Sequence, residues 1–244
     1  SSYTPKENEL SLPSTIAVDG PASSGKSTVS FAVSRRIGYL FVDTGAFYRA
    51  ITLLALEQHL DLDNFAEVSA LAERAQIDIT PELADDGRQY TVMTDGRDIT
   101  AAIHAPEVDA AVSKVSAIPG VRAALLNTQR KIAARGRVIM AGRDIGTIVL
   151  PDADLKIYID ASLEERATRR YHQRASNGES ADLDAIREAI RKRDEADSQR
   201  AISPLLRAPD AVYLDTSHLT QLEAIEAMIR ILHEWSREKN HEQR

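Results

Sequence analysis

The chain has 244 residues and no cysteine, and its 30 Lys and Arg against 37 Asp and Glu give a formal net charge of −7. Disulfides, thiolate zinc sites and cysteine nucleophiles are thereby excluded, and a general nucleic-acid-binding surface is disfavoured, although a local anion site is compatible with an acidic whole. No apolar run approaches the ~20 residues of a membrane span, and Ser1 to Pro13 lacks the apolar stretch of a signal peptide, so a flexible tail over residues 1–13 and a cytoplasmic protein are expected.

Ser14 to Asp19 (STIAVD) is a short apolar run that stops at Gly20-Pro21, the pattern of a buried strand. Ser27 to Ile37 shows helical periodicity and ends at Gly38, a C-cap residue. Tyr39 to Asp43 (YLFVD) reads as a second buried strand. Ala46 to His59 reads as a helix with Phe47, Ile51, Leu54 and Ala55 on its apolar side. The pattern then changes. A helix over Asn64 to Ala75 precedes three short β-like runs, Ile77 to Ile79, Tyr90 to Met93 and Arg97 to Ile99, separated by turn formers at Asp85-Asp86-Gly87 and Asp95-Gly96. This meander sits inside an alternating chain and reads as an insertion. Helices follow at Pro106 to Ala117 and Val121 to Arg135, strands at Val138 to Ala141 and Leu155 to Asp160, and helices at Leu163 to Ser176 and Asp182 to Arg200. A strand at Val212 to Asp215 and a helix at Gln221 to Lys239 end the series. Buried strands alternating with helices predict an α/β protein with a parallel sheet.

Residues Gly20, Pro21, Ala22, Ser23, Ser24, Gly25, Lys26 and Ser27 fit G-x-x-x-x-G-K-[ST] in full, between a predicted strand and a predicted helix. Gly25 permits a sharp turn and close approach of backbone to phosphate. The loop N–H groups and the helix N-terminus favour an anion. Lys26, expected at the surface of a cleft, adds a full charge, and the Ser27 hydroxyl can ligate Mg²⁺. A chance match would occur in roughly 1% of chains this long, and the strand–turn–helix context lowers that further. ATP with Mg²⁺ is the expected co-substrate, with Thr28 completing the loop.

The GTPase motifs D-x-x-G and [NT]-K-x-D are absent, and the strand at Leu155 to Asp160 ends Asp-Ala where motor ATPases place Asp-Glu. A small-molecule kinase instead needs many arginines, to hold a second phosphate and to neutralise the one in flight. Arg49 and Arg143 follow predicted strands, at the ends where sheet ligands bind. Arg166, Arg169 and Arg170 share one helix side, either as a phosphate clamp or as a solvated basic face. The Gly178 region supplies the mobility of a closing lid. On the helix over Asp182 to Arg200, the apolar stripe of Leu183, Ile186 and Ile190 continues as Arg193, Asp197 and Arg200. That charged end is either a ligand site or an internal salt-bridge cluster.

Taken together, IAVDGPASSGKST, DTGAFYRA, SKVSAIPGVR, AGRDIGTIVLPDADLKIYIDAS and KRDEADSQRAISPL resemble the bacterial cytidylate kinases, from about Thr15 to Leu232. The resemblance implies a P-loop three-layer α/β/α core with a parallel sheet at residues 14–43 and 118–244. An α+β monophosphate-binding subdomain is inserted at 44–117, and a short lid covers 166–178. It implies that Arg49, Arg143 and Arg200 hold the CMP phosphate. Ser113, Arg122 and Asp144 would read cytosine, while Arg193, Asp197 and Thr44 would contact the ribose. Arg166, Arg169 and Arg170 would close over the ATP phosphates. Lys26, Arg143, Arg166, Arg170 and Arg200 would then carry transfer to CMP or dCMP. Asp144 has a second reading, as a brace for Arg143 next door. Thr44 stands where the family turn has Ser, and Lys26 is followed by Ser27 where relatives often have Gly. Other acceptors (UMP, AMP or shikimate) and a regulatory nucleotide-binding module without transfer activity stay open at this point. No long exposed apolar stripe is evident, so a monomer is expected.

Overall fold

A computed structural model of the chain describes residues 11–82 and 84–242. In chain order its elements are β1 (Thr15–Asp19), α1 (Lys26–Ile37), β2 (Leu40–Asp43), α2 (Gly45–Glu57), α3 (Phe65–Arg74), β3 (Ile77–Thr80), β4 (Thr91–Thr94) and β5 (Arg97–Asp98). Then come α4 (Pro106–Ser116), α5 (Pro119–Ala133), β6 (Val138–Gly142), β7 (Leu155–Asp160), α6 (Leu163–Ser176), α7 (Leu183–Ser198), β8 (Val212–Asp215) and α8 (Gln221–Glu242).

Five strands form one sheet in the order β2-β6-β1-β7-β8, with every neighbour parallel. The central strands are apolar along their length because helices cover both faces of the sheet. In β6, all five residues are buried. The register Asp19↔Gly142 and Asp43↔Ala141 brings the carboxyl ends of β1, β2 and β6 level. The loops that follow these strands therefore open at one edge, where sheet ligands bind.

The insertion forms its own antiparallel sheet, β3-β4-β5, pairing Ile79 with Val92 and Thr94 with Arg97. Asp95 and Gly96 both have positive φ (49° and 75°), as a two-residue hairpin turn demands. Its apolar residues are continuous with the main core, which includes Val68, Leu71, Ile79, Val92 and Ile103, and Tyr90 packs on Phe41 of β2 at 5.9 Å between ring centroids. By contrast, α6 and α7 pack around a separate small cluster of Ala167, Ile186 and Ile190.

Two local features differ from the expectations, and one lies where none was stated. The strand read at Arg97 to Ile99 is two residues long. The segment after β6, Ile145–Val149, is a π-helical turn. Of the expected tail, residues 1–10 lie outside the described residues, whereas Pro13 is buried and Ser11 accepts a 2.6 Å hydrogen bond from the Ser236 hydroxyl, which ties this end to α8. Among the described residues no helix is long and apolar enough to cross a membrane.

Candidate active site

The phosphate loop follows β1 and leads into α1. Gly20 lies against β7 so closely that a Cβ there would sit 2.0 Å from the Ile159 carbonyl oxygen, so no larger residue fits. Gly25 caps α1 in the left-handed conformation, φ 85°. Lys26 is not a surface residue: it is 7% exposed, because the loop wraps its stem and Nζ reaches the Pro21 carbonyl at 3.5 Å. Burial, aided by Arg143, pushes its ammonium down to about 7, while Asp43 and Asp19 oppose the shift. Ser27 donates its hydroxyl to Asp43 Oδ2 at 2.9 Å. Beside the loop lies a cleft of about 620 Å³, lined among others by residues 23–29, Arg169, Arg170 and Thr216.

Arg166, Arg169 and Arg170 do occupy one side of α6, and two of them grip the loop. Arg166 is buried, donating to the carbonyls of Ala161 and Ala22 and to Asp194 Oδ2 at 2.6 Å. Arg169 donates to the Ser24 carbonyl at 3.2 Å and to Thr216 O at 2.6 Å, and it pairs with Glu165. Arg170 bonds Gln173 at the mouth of the cleft.

A second cationic centre surrounds Asp197 on α7. Arg143, from the turn after β6, donates Nε to Asp197 Oδ2 at 2.9 Å; Arg200 binds Oδ1; and Arg193 Nε lies 4.0 Å from Oδ2. Three guanidinium groups thus share one carboxylate. Arg193, although its side chain is 60% exposed, has its pKa lowered by crowding in the cleft and by the like charge of Arg143. Arg200 is likewise lowered by burial, against the pull of Asp197. The cluster is short of negative charge, which is the condition for binding an anion.

Arg122 and Asp144 meet as a buried pair at 2.9 Å. Arg122 also donates to the Ser116 carbonyl and lies 4.9 Å over the Tyr48 ring, while its Nε is buried without a partner. Asp144 therefore contacts Arg122, and Arg143 is held by Asp197. Ser113 is exposed on α4, one turn before Ser116. Arg49, from α2, donates to the Ile103 carbonyl at 3.2 Å and pairs with Asp109. The Thr44 hydroxyl donates to the Ala141 carbonyl at 3.1 Å.

Three carboxylates at this edge escaped the sequence reading. Asp43 shares Ser27, Asp194 holds Arg166, and Asp19 accepts from the backbone N–H groups of Ile145 and Gly146 at 2.8 and 2.7 Å. Burial pushes the Asp19 carboxyl up to about 6 despite those two donors. The one available signal was position: Asp19 and Asp43 each end a strand.

A phosphate loop that faces an arginine cluster across the end of a parallel sheet defines a P-loop phosphotransferase for small anionic acceptors. The family model described as Cytidylate kinase matches residues 16–234. The cytidylate kinase of Limosilactobacillus fermentum is 48% identical over 206 residues, covering 84% of this chain and 89% of that one. That of Bacillus licheniformis is 45% identical, covering 89% and 95%. A bifunctional pantoate ligase/cytidylate kinase from Synechococcus sp. (strain JA-3-3Ab) is 44% identical over 216 residues, and the match spans 40% of its length. A crystal structure of an uncharacterized protein from Eubacterium ventriosum superposes with a TM-score of 0.50 at 10% identity, over 89% of this chain and 97% of that one, a likeness of fold alone. The chain belongs to the cytidylate kinase family.

Proposed function

We propose that this chain transfers the γ-phosphoryl group of ATP to CMP, and to dCMP, yielding ADP and the diphosphate. The observation that carries this reading is the arginine cluster of Arg143, Arg193 and Arg200 on Asp197, at the same sheet edge as the phosphate loop.

ATP lies with its β- and γ-phosphates against the loop N–H groups from Gly20 to Thr28 and Lys26, and Arg166, Arg169 and Arg170 approach from α6. The acceptor phosphate lies among Arg49, Arg143 and Arg200, and the ribose against Arg193, Asp197 and Thr44. Arg122, Asp144 and Ser113 take the base. The paired carboxylate and guanidinium present an acceptor and a donor, which matches the N4 amino group and the N3 and O2 acceptors of cytosine. An oxygen of the acceptor phosphate attacks the γ-phosphorus as the bond to the ADP oxygen breaks, and Lys26 with the arginines stabilises the spread negative charge. The acceptor oxygen is already anionic, so no general base is required.

Ser27 Oγ and Asp43 Oδ2 are hard oxygen donors 2.9 Å apart beside the loop, a set that suits Mg²⁺ bound mainly through phosphates and water. Bound there, the ion would neutralise phosphate charge. Among the described residues no group of three acidic or histidine side chains offers a closed metal cage.

The test is an acceptor panel of CMP, dCMP, UMP, AMP and shikimate with ATP, read as ADP release. CMP and dCMP are expected to be the fastest. Faster turnover of another acceptor would reject the base assignment, and no ADP with any of them would favour a regulatory module. Both nucleotide sites come from one chain, which supports a monomer; sedimentation tests that.

A further inference from the structure

The arginine and the carboxylate assigned to the acceptor, Arg143 and Asp144, stand next to each other in the turn after β6. What holds that turn is not part of the acceptor site. Asp19 is the last residue of β1, immediately before the phosphate loop, and is 3% exposed. Its Oδ1 accepts the N–H of Ile145 at 2.8 Å, and its Oδ2 accepts the N–H of Gly146 at 2.7 Å. These are the first N–H groups of the π-helical turn, donors that lack a partner within the turn. The turn itself is closed on Asp144, whose carbonyl accepts from both Ile148 and Val149. A single buried carboxylate thus caps the turn that directly follows both acceptor residues.

We propose that Asp19 is a positioning residue for the acceptor, holding Arg143 and Asp144 in place through the backbone of the turn that follows them. The role rests on the CMP kinase reading. It accounts for a charged group at a buried strand end: an ionised carboxylate offers one acceptor oxygen to each of two parallel donors. The packing agrees. Gly146 lies so near that a Cβ there would meet Asp19 Oδ2 at 3.3 Å and the Lys156 Cδ at 3.1 Å. The charged groups facing Asp19 are Asp144 and Lys26. Lys26 directs its hydrogen bond to the Pro21 carbonyl rather than to Asp19, so the carboxylate is not its anchor.

The test is Asp19→Asn, which keeps the shape and the burial. Its amide offers one acceptor and turns an N–H toward the second backbone donor, so the turn must shift. Purified Asp19→Asn and wild type are compared by calorimetric binding of CMP and of ATP, and by kcat/KM with CMP and with UMP. Expected are a ~10- to 100-fold loss in CMP binding and turnover, a narrower CMP-to-UMP ratio, and ATP binding within about threefold of wild type. Equal weakening of ATP and CMP, or no change in either, would overturn the proposal. If Asp19→Asn does not fold, Gly146→Ala decides. It leaves the charge in place and presses on the carboxylate, and it should weaken CMP selectively by a smaller factor. CMP binding unchanged in that variant would overturn the proposal as well. Wild-type ADP release with CMP runs alongside: its absence would reject the kinase reading itself, whereas an active wild type beside an unselective Asp19→Asn rejects only the role of Asp19.

Discussion

The donor and acceptor sides of the cleft are built on opposite plans. On the proposed assignment the donor side joins a short loop whose shape is set by backbone, with Gly20 pressed on Ile159, Ser23 and Gly25 at positive φ and Lys26 enclosed, to the α6 arginines Arg166 and Arg169, which pair with Asp194 and Glu165. The acceptor side is assembled from side chains on α2, α5, α7 and the turn after β6, and its cations already have partners. Arg49 is on Asp109, Arg122 on Asp144, and Arg143 and Arg200 on Asp197. At the proposed acceptor site an incoming monophosphate would exchange those pairs for its own oxygens. On the proposed assignment the donor loop is preset by its backbone, whereas acceptor binding exchanges ion pairs.

The largest test of this contrast is Lys26→Ala. It removes the cation at the transferring phosphoryl group, and a loss in kcat of ~10³-fold or more is expected. The loop backbone should keep its geometry, since glycine placement defines it. Circular dichroism and a melting curve should match wild type; near-native turnover with CMP would show the donor assignment to be wrong. Arg200→Ala comes next. A loss of turnover approaching ~10³-fold is expected, with ATP binding by calorimetry little changed, because Arg200 belongs to the Asp197 cluster. Equal losses in ATP affinity and turnover would move Arg200 to the donor side and erase the contrast.

The same contrast explains what was legible in the sequence. The phosphate loop is contiguous, so its residues, its strand and its helix could all be read from one window. The parallel sheet was legible because its central strands, β1 and β6, are buried. The acceptor side is not local. Arg143 and Asp197 are 54 positions apart, Arg122 and Asp144 are 22, and Asp19 is 126 from Ile145. Resemblance to a family named most of these residues, and the charged end of α7 was read as either a ligand site or the salt-bridge cluster that Arg193 and Arg200 form on Asp197, but the long-range pairings and Asp19, Asp43 and Asp194 were not read. The π-helical turn was also illegible, because IGTIV carries no periodicity that separates it from a strand end. The burial of Lys26 was missed for a related reason: a lysine in a motif reads as exposed until the loop that encloses it is seen.

A smaller and more specific effect is expected at Asp144. Its carboxylate contacts Arg122 and not Arg143, so the proposed role as acceptor for cytosine N4 and the role of a brace can be told apart. Uracil would place O4 against the carboxylate and N3–H against the guanidinium, and enclosed polar sites of this kind reach ~10⁴-fold discrimination. Asp144→Ala should narrow the CMP-to-UMP ratio of kcat/KM, chiefly by weakening CMP. If both substrates fall together and the ratio holds, Asp144 is a brace only.

The smallest effect is a proton. Burial and Arg143 hold the Lys26 ammonium near 7 in the free protein. The triphosphate of ATP would surround the same group with negative charge, which favours its protonated form. The pKa of Lys26 must then be higher in the complex than in the free protein. Between pH 7.5 and 9 the free protein is largely neutral at Lys26 and the complex is protonated, so ATP binding takes up a fraction of a proton that approaches one. In that window affinity should fall by up to about tenfold per pH unit as pH rises. Below pH 7 the linkage fades, because Lys26 is protonated before ATP arrives. Phosphate ionisation, with a second pKa near 6, is complete in the chosen window and does not mask the effect. Calorimetry at pH 8 in two buffers of different protonation enthalpy measures the uptake directly. Lys26→Met should abolish the uptake. CMP binding, on the preformed ion pairs of the acceptor side, should show far less. Identical ATP binding enthalpies in the two buffers would mean that Lys26 is already charged in the free loop, and that burial does not distinguish it from an ordinary lysine.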